Sequence, residues 1–396
     1  MDDLKKRALD YHQYPIPGKL SVESSKPCAT QDDLSLAYTP GVAEPVREIH
    51  AEPANAYKYT NKGNLVAVIT DGTAVLGLGN MGALASKPVM EGKAVLFKRF
   101  AGIDVFDIEI NAGTPDEFIE TVVNIAPTFG GINLEDIAAP HCFYIENELK
   151  KRLDIPVFHD DQHGTAVIVA AALLNALELQ GKHLPTAKIV FLGAGAAGCS
   201  CAKLLKLMGA ADITMVDRSG VLDTDRADLH DNNRELAIAP GGVATLEAAM
   251  QNADVFIGVS AKNALDTSLI KGMAKNPIIF ALANPDPEVL PSVAHAIRDD
   301  ILMATGRSDF PNQVNNALCF PYLFRGALDA KAKQITDKMK IAAAHALSAL
   351  AREPVPQEVL DAYNLKALKF GREYIIPKPF DPRLLARVSK AVAEAA

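Results

Sequence analysis

Two kinds of apolar run alternate along this chain. Short unbroken ones, LVAVIT (65–70), AVLFKRF (94–100), VFDIEI (105–110), IPVF (155–158), KIVFLG (188–193), ITMVD (213–217), ADVFIGVS (253–260) and PIIFALANP (277–285), have the length and continuity of strands covered on both faces. Between them lie longer stretches with helical spacing: 115–125, 142–153, 165–179, a small-residue run from the 193 turn to Leu207, and an Ala- and Lys-rich segment, 322–350. Strand and helix patterns in alternation predict an α/β fold, a parallel sheet with helices over its faces. The first 60 residues are punctuated by proline and read as helical or irregular. The tail holds two more helical pieces broken by Pro377, Pro379 and Pro382.

The pattern changes character around IPVFHDDQHGTAVIVAAALLNALEL (155–179), the stretch around which the chain is organised. An apolar strand leads into two adjacent acids, Asp160 and Asp161, flanked by His159 and His163, and then into a long helix. Adjacent carboxylates at such a junction are costly unless a cation or base neutralises them. A second pair, Glu135 and Asp136 in GGINLEDI, comes from a separate element. Carboxylates at helix starts are ordinary stabilising charges, but two apolar-hemmed pairs favour a hard divalent cation such as Mg²⁺ or Mn²⁺. His159 and His163 lie four apart but lack the glutamate of a zinc helix motif.

The run KIVFL ends in Gly193-Ala194-Gly195-Ala196-Ala197-Gly198. The first glycine makes a turn, the second admits a pyrophosphate, and the third packs helix on strand. About 20 residues on, at the end of ITMV, Asp217 stands where a carboxylate accepts adenine-ribose hydroxyls. Such an acid repels a 2′-phosphate and predicts NAD over NADP, although Arg218 beside it offers that phosphate a partner. A second glycine match, GLGNMG (77–82), is followed by Pro88, which predicts a tight loop bordering a small-molecule site rather than a dinucleotide helix. Lys93, after Gly92, is either a snorkelling surface lysine or, facing a metal, a base of lowered pKa. Tyr38 alone reads as a packed aromatic.

Composition narrows the setting. The 396 residues suffice for two domains, and 49% apolar with 22% charged residues is ordinary for a globular protein. A formal net charge of −8 argues against nucleic-acid or anionic-membrane partners. The N-terminus lacks a signal-peptide core, and the most apolar stretch, 167–174, is shorter than the roughly 20 residues of a span. Five cysteines at no regular spacing give neither a disulfide framework nor a zinc ribbon, so the expected compartment is the cytoplasm.

SLAYTPGVAEPV, ITDGTAVLGLGNMGALASKPVMEGKAVLFK, GGINLEDI, PVFHDDQHGTA, FALANPDPE and ATGRSDFPNQVNNALCFP together resemble the short bacterial form of malic enzyme, over about residues 18–387. The resemblance implies oxidative decarboxylation of L-malate to pyruvate and CO₂ with NAD(P)⁺ and Mg²⁺ or Mn²⁺, by a homodimer or higher homo-oligomer. It makes Glu135, Asp136 and Asp161 metal ligands, Asp160 the partner of Lys93, Lys93 the general base and Tyr38 the general acid. Asn284 and Asn316 would hold substrate and the nicotinamide end. Long forms of the family carry an arginine after the Asp71-Gly72 turn to grip a malate carboxylate. Thr73, Ala74 and Val75 stand here, which leaves Arg307 or the loop backbone for that task. Since Lys93 and Asn316 must share one cleft, the expected division is a catalytic domain (1–160), an inserted Rossmann domain (161–315) and a C-terminal helical segment (316–396) that returns to the first lobe. Rival readings are a metal-dependent oxaloacetate decarboxylase or malolactic-type enzyme, and more remotely a dinucleotide-sensing module whose acids are structural.

Overall fold

The structure, a computed structural model, describes residues 2–396. Two separate sheets form. In the first, β1 (Leu65–Thr70), β2 (Asp104–Glu109), β3 (Gly131–Leu134) and β4 (Val157–His159) lie in the order β2-β1-β3-β4, all parallel. In the second, β5 (Lys188–Leu192), β6 (Asp212–Asp217), β7 (Gly220–Val221), β8 (Val255–Gly258), β9 (Ile278–Ala281) and β10 (Leu302–Thr305) run β10-β9-β8-β5-β6-β7, parallel except at the edge pair β6–β7. The strand order turns back at β5, between β6 and β8. In open α/β sheets a ligand crevice forms at such a switch point, beyond the carboxyl ends of the strands. β1, β3, β8, β9 and β10 are buried at every position, which is why they read as unbroken apolar runs.

The helix Asp160–Leu179 joins the sheets. Ala170, Ala171 and Ala172 are fully buried on it, and the helix Ala196–Leu207 packs against it. It is the one helix among the described residues long and apolar enough to cross a membrane, and 72% of its most apolar window is buried inside the protein. After β10 the chain packs against the first sheet's layer. Phe97 meets Phe320 and Phe324 edge-on, at centroid distances of 4.8 and 5.3 Å. Each such pair is worth about 1 kcal/mol beyond its buried area. Asn175 Nδ2, fully buried on the joining helix, donates to the carbonyls of Ser348 (3.0 Å) and Ile375 (2.8 Å).

Several expectations change. The run 94–100 is not a strand but the end of the helix Ala83–Ala101. Its buried positions, Ser86, Met90, Lys93, Ala94, Phe97 and Ala101, recur at three and four residues, so one apolar face, not alternation, governs it. Pro88 lies inside this helix rather than ending it; tertiary packing of that face outweighs the roughly 3 kcal/mol an interior proline costs. The acids Asp160 and Asp161 form the first turn of their helix instead of preceding it. The segment 322–350 is two helices, Phe320–Asp329 and Asp337–Arg352.

The N-terminal arm differs from everything that follows. Among its described residues none from position 3 to position 64 is buried. Leu9, Ile16, Val22, Leu36, Tyr38 and Val46 all stand exposed on it.

Candidate active site

The carboxyl ends of β1, β3 and β4 open onto one cleft. β3 delivers Glu135 and Asp136, β4 runs directly into Asp160 and Asp161, and the helix Ala83–Ala101 turns Lys93 toward both. Lys93 Nζ donates to Asp160 Oδ2 and lies 2.9 Å from Glu135 Oε1. Asn316 Nδ2 donates to the same Asp160 oxygen at 2.6 Å. The ammonium also sits 4.6 Å from the centroid of the Phe320 ring. Residues from three distant parts of the chain thus converge around one lysine.

Local backbone geometry makes this possible. Asp136 has φ 53°, in the left-handed region that aspartate tolerates and most residues avoid. Its amide donates to Asp161 Oδ2 at 2.9 Å, and its Oδ1 faces the amide of Leu76 at 3.4 Å. At Gly164 a Cβ would lie 1.9 Å from Asp160 Oδ1, so only glycine lets that carboxylate fold back along its own helix. The loop after β1 closes the cleft. Thr73 Oγ1 donates to Asp71 Oδ1 (2.6 Å) and accepts from the Ala138 amide (2.8 Å). At Gly77 a Cβ would stand 2.5 Å from the Asn284 carbonyl, so GLGNMG is a loop touching the second lobe, not a dinucleotide turn.

Glu135, Asp136 and Asp161 each offer an oxygen, and the three lie within 4.8 Å of one another. Asp136 Oδ2 and Asp160 Oδ1 are buried without a hydrogen-bond partner. Burial, reinforced by Asp161, pushes Asp136 up to about 7, and burial raises Glu135 well above the carboxylate range despite Lys93. Four acids face one lysine. The orphaned oxygens and the excess negative charge suit a hard divalent cation. Lys93 is set here by the protein's own charges alone. Burial alone would lower it, yet Asp160, Glu135 and Asp161 outweigh burial and hold the ammonium above its ordinary value.

In the second lobe the glycine turn sits as its spacing predicts. Gly193 has φ 118°, and a Cβ there would meet the Val259 carbonyl at 2.6 Å. Gly195 precedes the helix Ala196–Leu207, with Ala196 and Ala197 in its first turn. At Gly198 a Cβ would fall 2.0 Å from the Gly193 carbonyl, so the third glycine seals turn against helix. The Gly193 amide donates to Val216 at 2.8 Å, bringing Asp217 beside the turn. Asp217 is not free, however: Arg226 grips it with two hydrogen bonds, of 2.9 and 2.8 Å. Arg218 is exposed. Asn284 is exposed at the loop after β9, against Gly306. Arg307 donates to the Pro285 carbonyl at 3.2 Å but is paired with Asp309 at 2.7 Å.

Tyr38 makes none of these contacts. It is 69% exposed, and none of the hydrogen bonds and ion pairs that tie Lys93, Asp160 and the three acids together involves it. Sequence reading missed three supporting residues. Asn133 Nδ2 donates to Glu135 Oε2 at 3.1 Å; its signal was the two-residue spacing that puts both side chains on one face of a strand. Glu146, buried, accepts the His159 amide at 3.1 Å and His163 Nε2 at 2.9 Å, and pairs with Lys150 at 2.7 Å. Arg226 is the third. Neither Glu146 nor Arg226 carries a local motif.

A two-lobed α/β oxidoreductase with a switch-point glycine turn and an acidic cleft around a lysine is the class these features define. Comparison with known proteins makes the family specific. The chain matches the malic enzyme N-terminal domain over residues 17–150 and the malic enzyme NAD-binding domain over residues 162–362. It is 60% identical to the NADP-dependent malic enzyme of Halomonas elongata, covering 100% of this chain and 94% of that protein. It is 53% identical to the NAD-dependent malic enzyme of Rhizobium meliloti, where the whole of this chain spans 51% of the relative. The crystal structure of the malic enzyme from Pyrococcus horikoshii superposes with a TM-score of 0.90 at 44% identity, over 99% of this chain and 90% of that one. The chain belongs to the malic enzyme family, oxidoreductases that decarboxylate malate oxidatively.

Proposed function

We propose that the acidic cleft oxidises L-malate at C2 and releases pyruvate and CO₂, with Lys93 moving the hydroxyl proton. The observation that carries this is the convergence of Lys93, Asp160 and Asn316 beside three metal-competent carboxylates. In this reading residues 1–160 and 316–396 make the catalytic lobe and residues 161–315 the cofactor lobe. Support comes from the packing of Phe320 and Phe324 on Phe97.

Glu135, Asp136 and Asp161 would hold Mg²⁺ or Mn²⁺, and Gly193 to Gly198 with Asp217 the dinucleotide. Bound there, the cation supplies positive charge where negative charge develops on the substrate, and the nicotinamide supplies a hydride acceptor. The chain's own residues do the rest. Lys93, in the neutral form that a cation offsetting the carboxylates around it would favour, accepts the proton of the C2 hydroxyl. Asp160 accepts from its Nζ, Asn316 donates to the same Asp160 oxygen, and Phe320 closes the far side of the ammonium against water. With no arginine among Thr73, Ala74 and Val75, and the Thr73 hydroxyl already committed, the substrate's second carboxylate falls to loop amides and to Asn284 and Asn316. Arg307 would have to leave Asp309 to join them.

C3 of the enol left after CO₂ loss needs a proton, and Tyr38 is the weak acid for that step. Its exposure, on an arm that buries nothing, favours delivery into the cleft of a second copy, so the working unit is a homodimer or a higher assembly built from it. The five cysteines are all free, four of them buried, which suits a reducing cytoplasm.

The expected preference for NAD rested on Asp217 as a free carboxylate, and Arg226 removes that premise. The Halomonas relative is named for NADP and the Rhizobium one for NAD. We therefore assign a nicotinamide dinucleotide of either kind. The test is absorbance of reduced nicotinamide with L-malate, Mn²⁺ and NAD or NADP in parallel. Net reduction supports the reading. Loss of oxaloacetate, or lactate formation, without reduced cofactor accumulating overturns it.

A further inference from the structure

Asp217 ends β6 and Arg226 lies in the segment after β7, and together with Asp228 they build a closed charge cluster. Arg226 Nη1 and Nη2 donate to the two oxygens of Asp217, at 2.9 and 2.8 Å. Nε and Nη2 donate to the two oxygens of Asp228, at 2.9 and 2.7 Å. Nη1 also lies 3.3 Å from the carbonyls of Gly220 and Val221. The Arg226 side chain is only 14% exposed, against 24% for Asp217 and 56% for Asp228. A guanidinium so shielded, fixed by two carboxylates and two carbonyls, is a built element of the adenine-ribose end and not a surface arginine.

This changes what Asp217 can discriminate. A bare carboxylate favours ribose hydroxyls and repels a 2′-phosphate. A carboxylate in a bidentate guanidinium pair keeps lone pairs for hydroxyls while part of its charge is offset, the rest of the guanidinium charge going to Asp228. The same planar fork matches two oxygens of a phosphate, so a 2′-phosphate that displaces one Asp217 oxygen would meet a donor held in fixed geometry. Asp228 can keep its hold on Nε while the Nη face changes partner. Resting on the dinucleotide reading above, we propose that Arg226 is the residue that admits a ribose 2′-phosphate, sharing its guanidinium between Asp217 and that phosphate. The site thereby accepts both phosphorylated and unphosphorylated adenine riboses. Arg218, exposed beside it, adds charge but no fixed geometry.

The test uses full-length protein and two probes that cannot react, ADP-ribose and 2′-phospho-ADP-ribose, with dissociation constants measured by calorimetry. Wild type should bind both. Arg226→Met leaves Asp217 bare and should weaken the 2′-phospho probe at least about tenfold more than ADP-ribose. Adding Asp217→Asn to Arg226→Met removes the bared charge but not the missing donor, so 2′-phospho binding should recover in part and stay below wild type, which a misfolded variant would not do; full recovery would show that Arg226 only balances Asp217 and would overturn the inference. An equal loss for both probes with no recovery in the double variant would make Arg226 merely structural and overturn the inference. Wild-type protein that binds neither probe would instead sink the dinucleotide reading, and the inference with it.

Discussion

The acidic cleft and the N-terminal arm carry the two proton-transfer candidates, and they are built in opposite ways. Lys93 is buried, held by two carboxylates, backed by an aromatic ring and surrounded by residues from three parts of the chain. Tyr38 stands 69% exposed between two short helices that bury no side chain. The arm is nevertheless ordered within itself. Thr30 and Asp33 form a reciprocal cap at its second helix, and Lys19 fastens it to the core by donating its amide to Glu91 (3.0 Å) and its ammonium to the Pro88 carbonyl (2.6 Å). An arm with internal order, exposed apolar side chains and few ties to its own core has the character of half an interface.

The comparison can be broken most forcefully at the cleft. Asp136→Asn keeps the shape and removes one charge from the carboxylate set, so malate oxidation should fall by at least about 10³-fold, several kcal/mol of lost charge stabilisation. ADP-ribose binding, measured by calorimetry, should stay within about twofold, because the glycine turn belongs to the other sheet. Coupled loss of both would mean that the acids support the fold and not the chemistry.

Tyr38→Phe comes next. Overall decarboxylation should drop by about 10²-fold, the usual worth of a positioned acid. Reduction of added oxaloacetate, which needs no proton at C3, should fall less. Equal losses, in steady-state assays of both reactions, would remove Tyr38 from the acid role.

Glu146 sharpens the comparison from behind the cleft. Its carboxylate holds the His159 amide and the His163 ring, and so fixes the turn from which Asp160 and Asp161 project. Glu146→Gln should raise the Mn²⁺ concentration for half-maximal activity about tenfold, as loss of a supporting contact behind a ligand does. The KM for dinucleotide should hardly move. A change in both would make Glu146 a general packing residue.

The smallest expected effect is on stability. Burial raises Asp136 from 3.8 to about 7 in the metal-free fold. An acid raised in this way binds its proton more tightly when folded, so its contribution is full below the ordinary value and fades as pH rises through about 7. Metal-free wild type should therefore lose melting temperature between pH 5 and pH 8 relative to Asp136→Asn, and added Mg²⁺ should remove the difference. Parallel curves in differential scanning calorimetry would show that the acid bears no such burden.

Much of the fold was legible because strands buried on both faces announce themselves as unbroken apolar runs, as in KIVFL and VFIG. The helix Ala83–Ala101 was misread at 94–100 because a run of apolar residues cannot distinguish one helical face from a buried strand. At the site, the acids and the glycine turn were legible because adjacent residues do the work. Glu146, Arg226 and the committed state of Asp217 were not, since each depends on a partner that only the folded chain brings near. The exposure of Tyr38 was equally hidden. A motif carries the identity of a side chain, while burial belongs to the whole surface around it.

The division of labour between cleft and arm has a direct test. Lys93→Ala and Tyr38→Phe proteins, each inactive or nearly so, are mixed, dissociated in mild denaturant and allowed to reassociate, and malate decarboxylation is followed by reduced nicotinamide. If Tyr38 acts in the cleft of a partner copy, mixed dimers hold one cleft with both residues intact, and activity should return to about a quarter of wild type at equal mixing. A mixture no more active than the sum of its separate components would contradict delivery from the partner and place both groups in one chain.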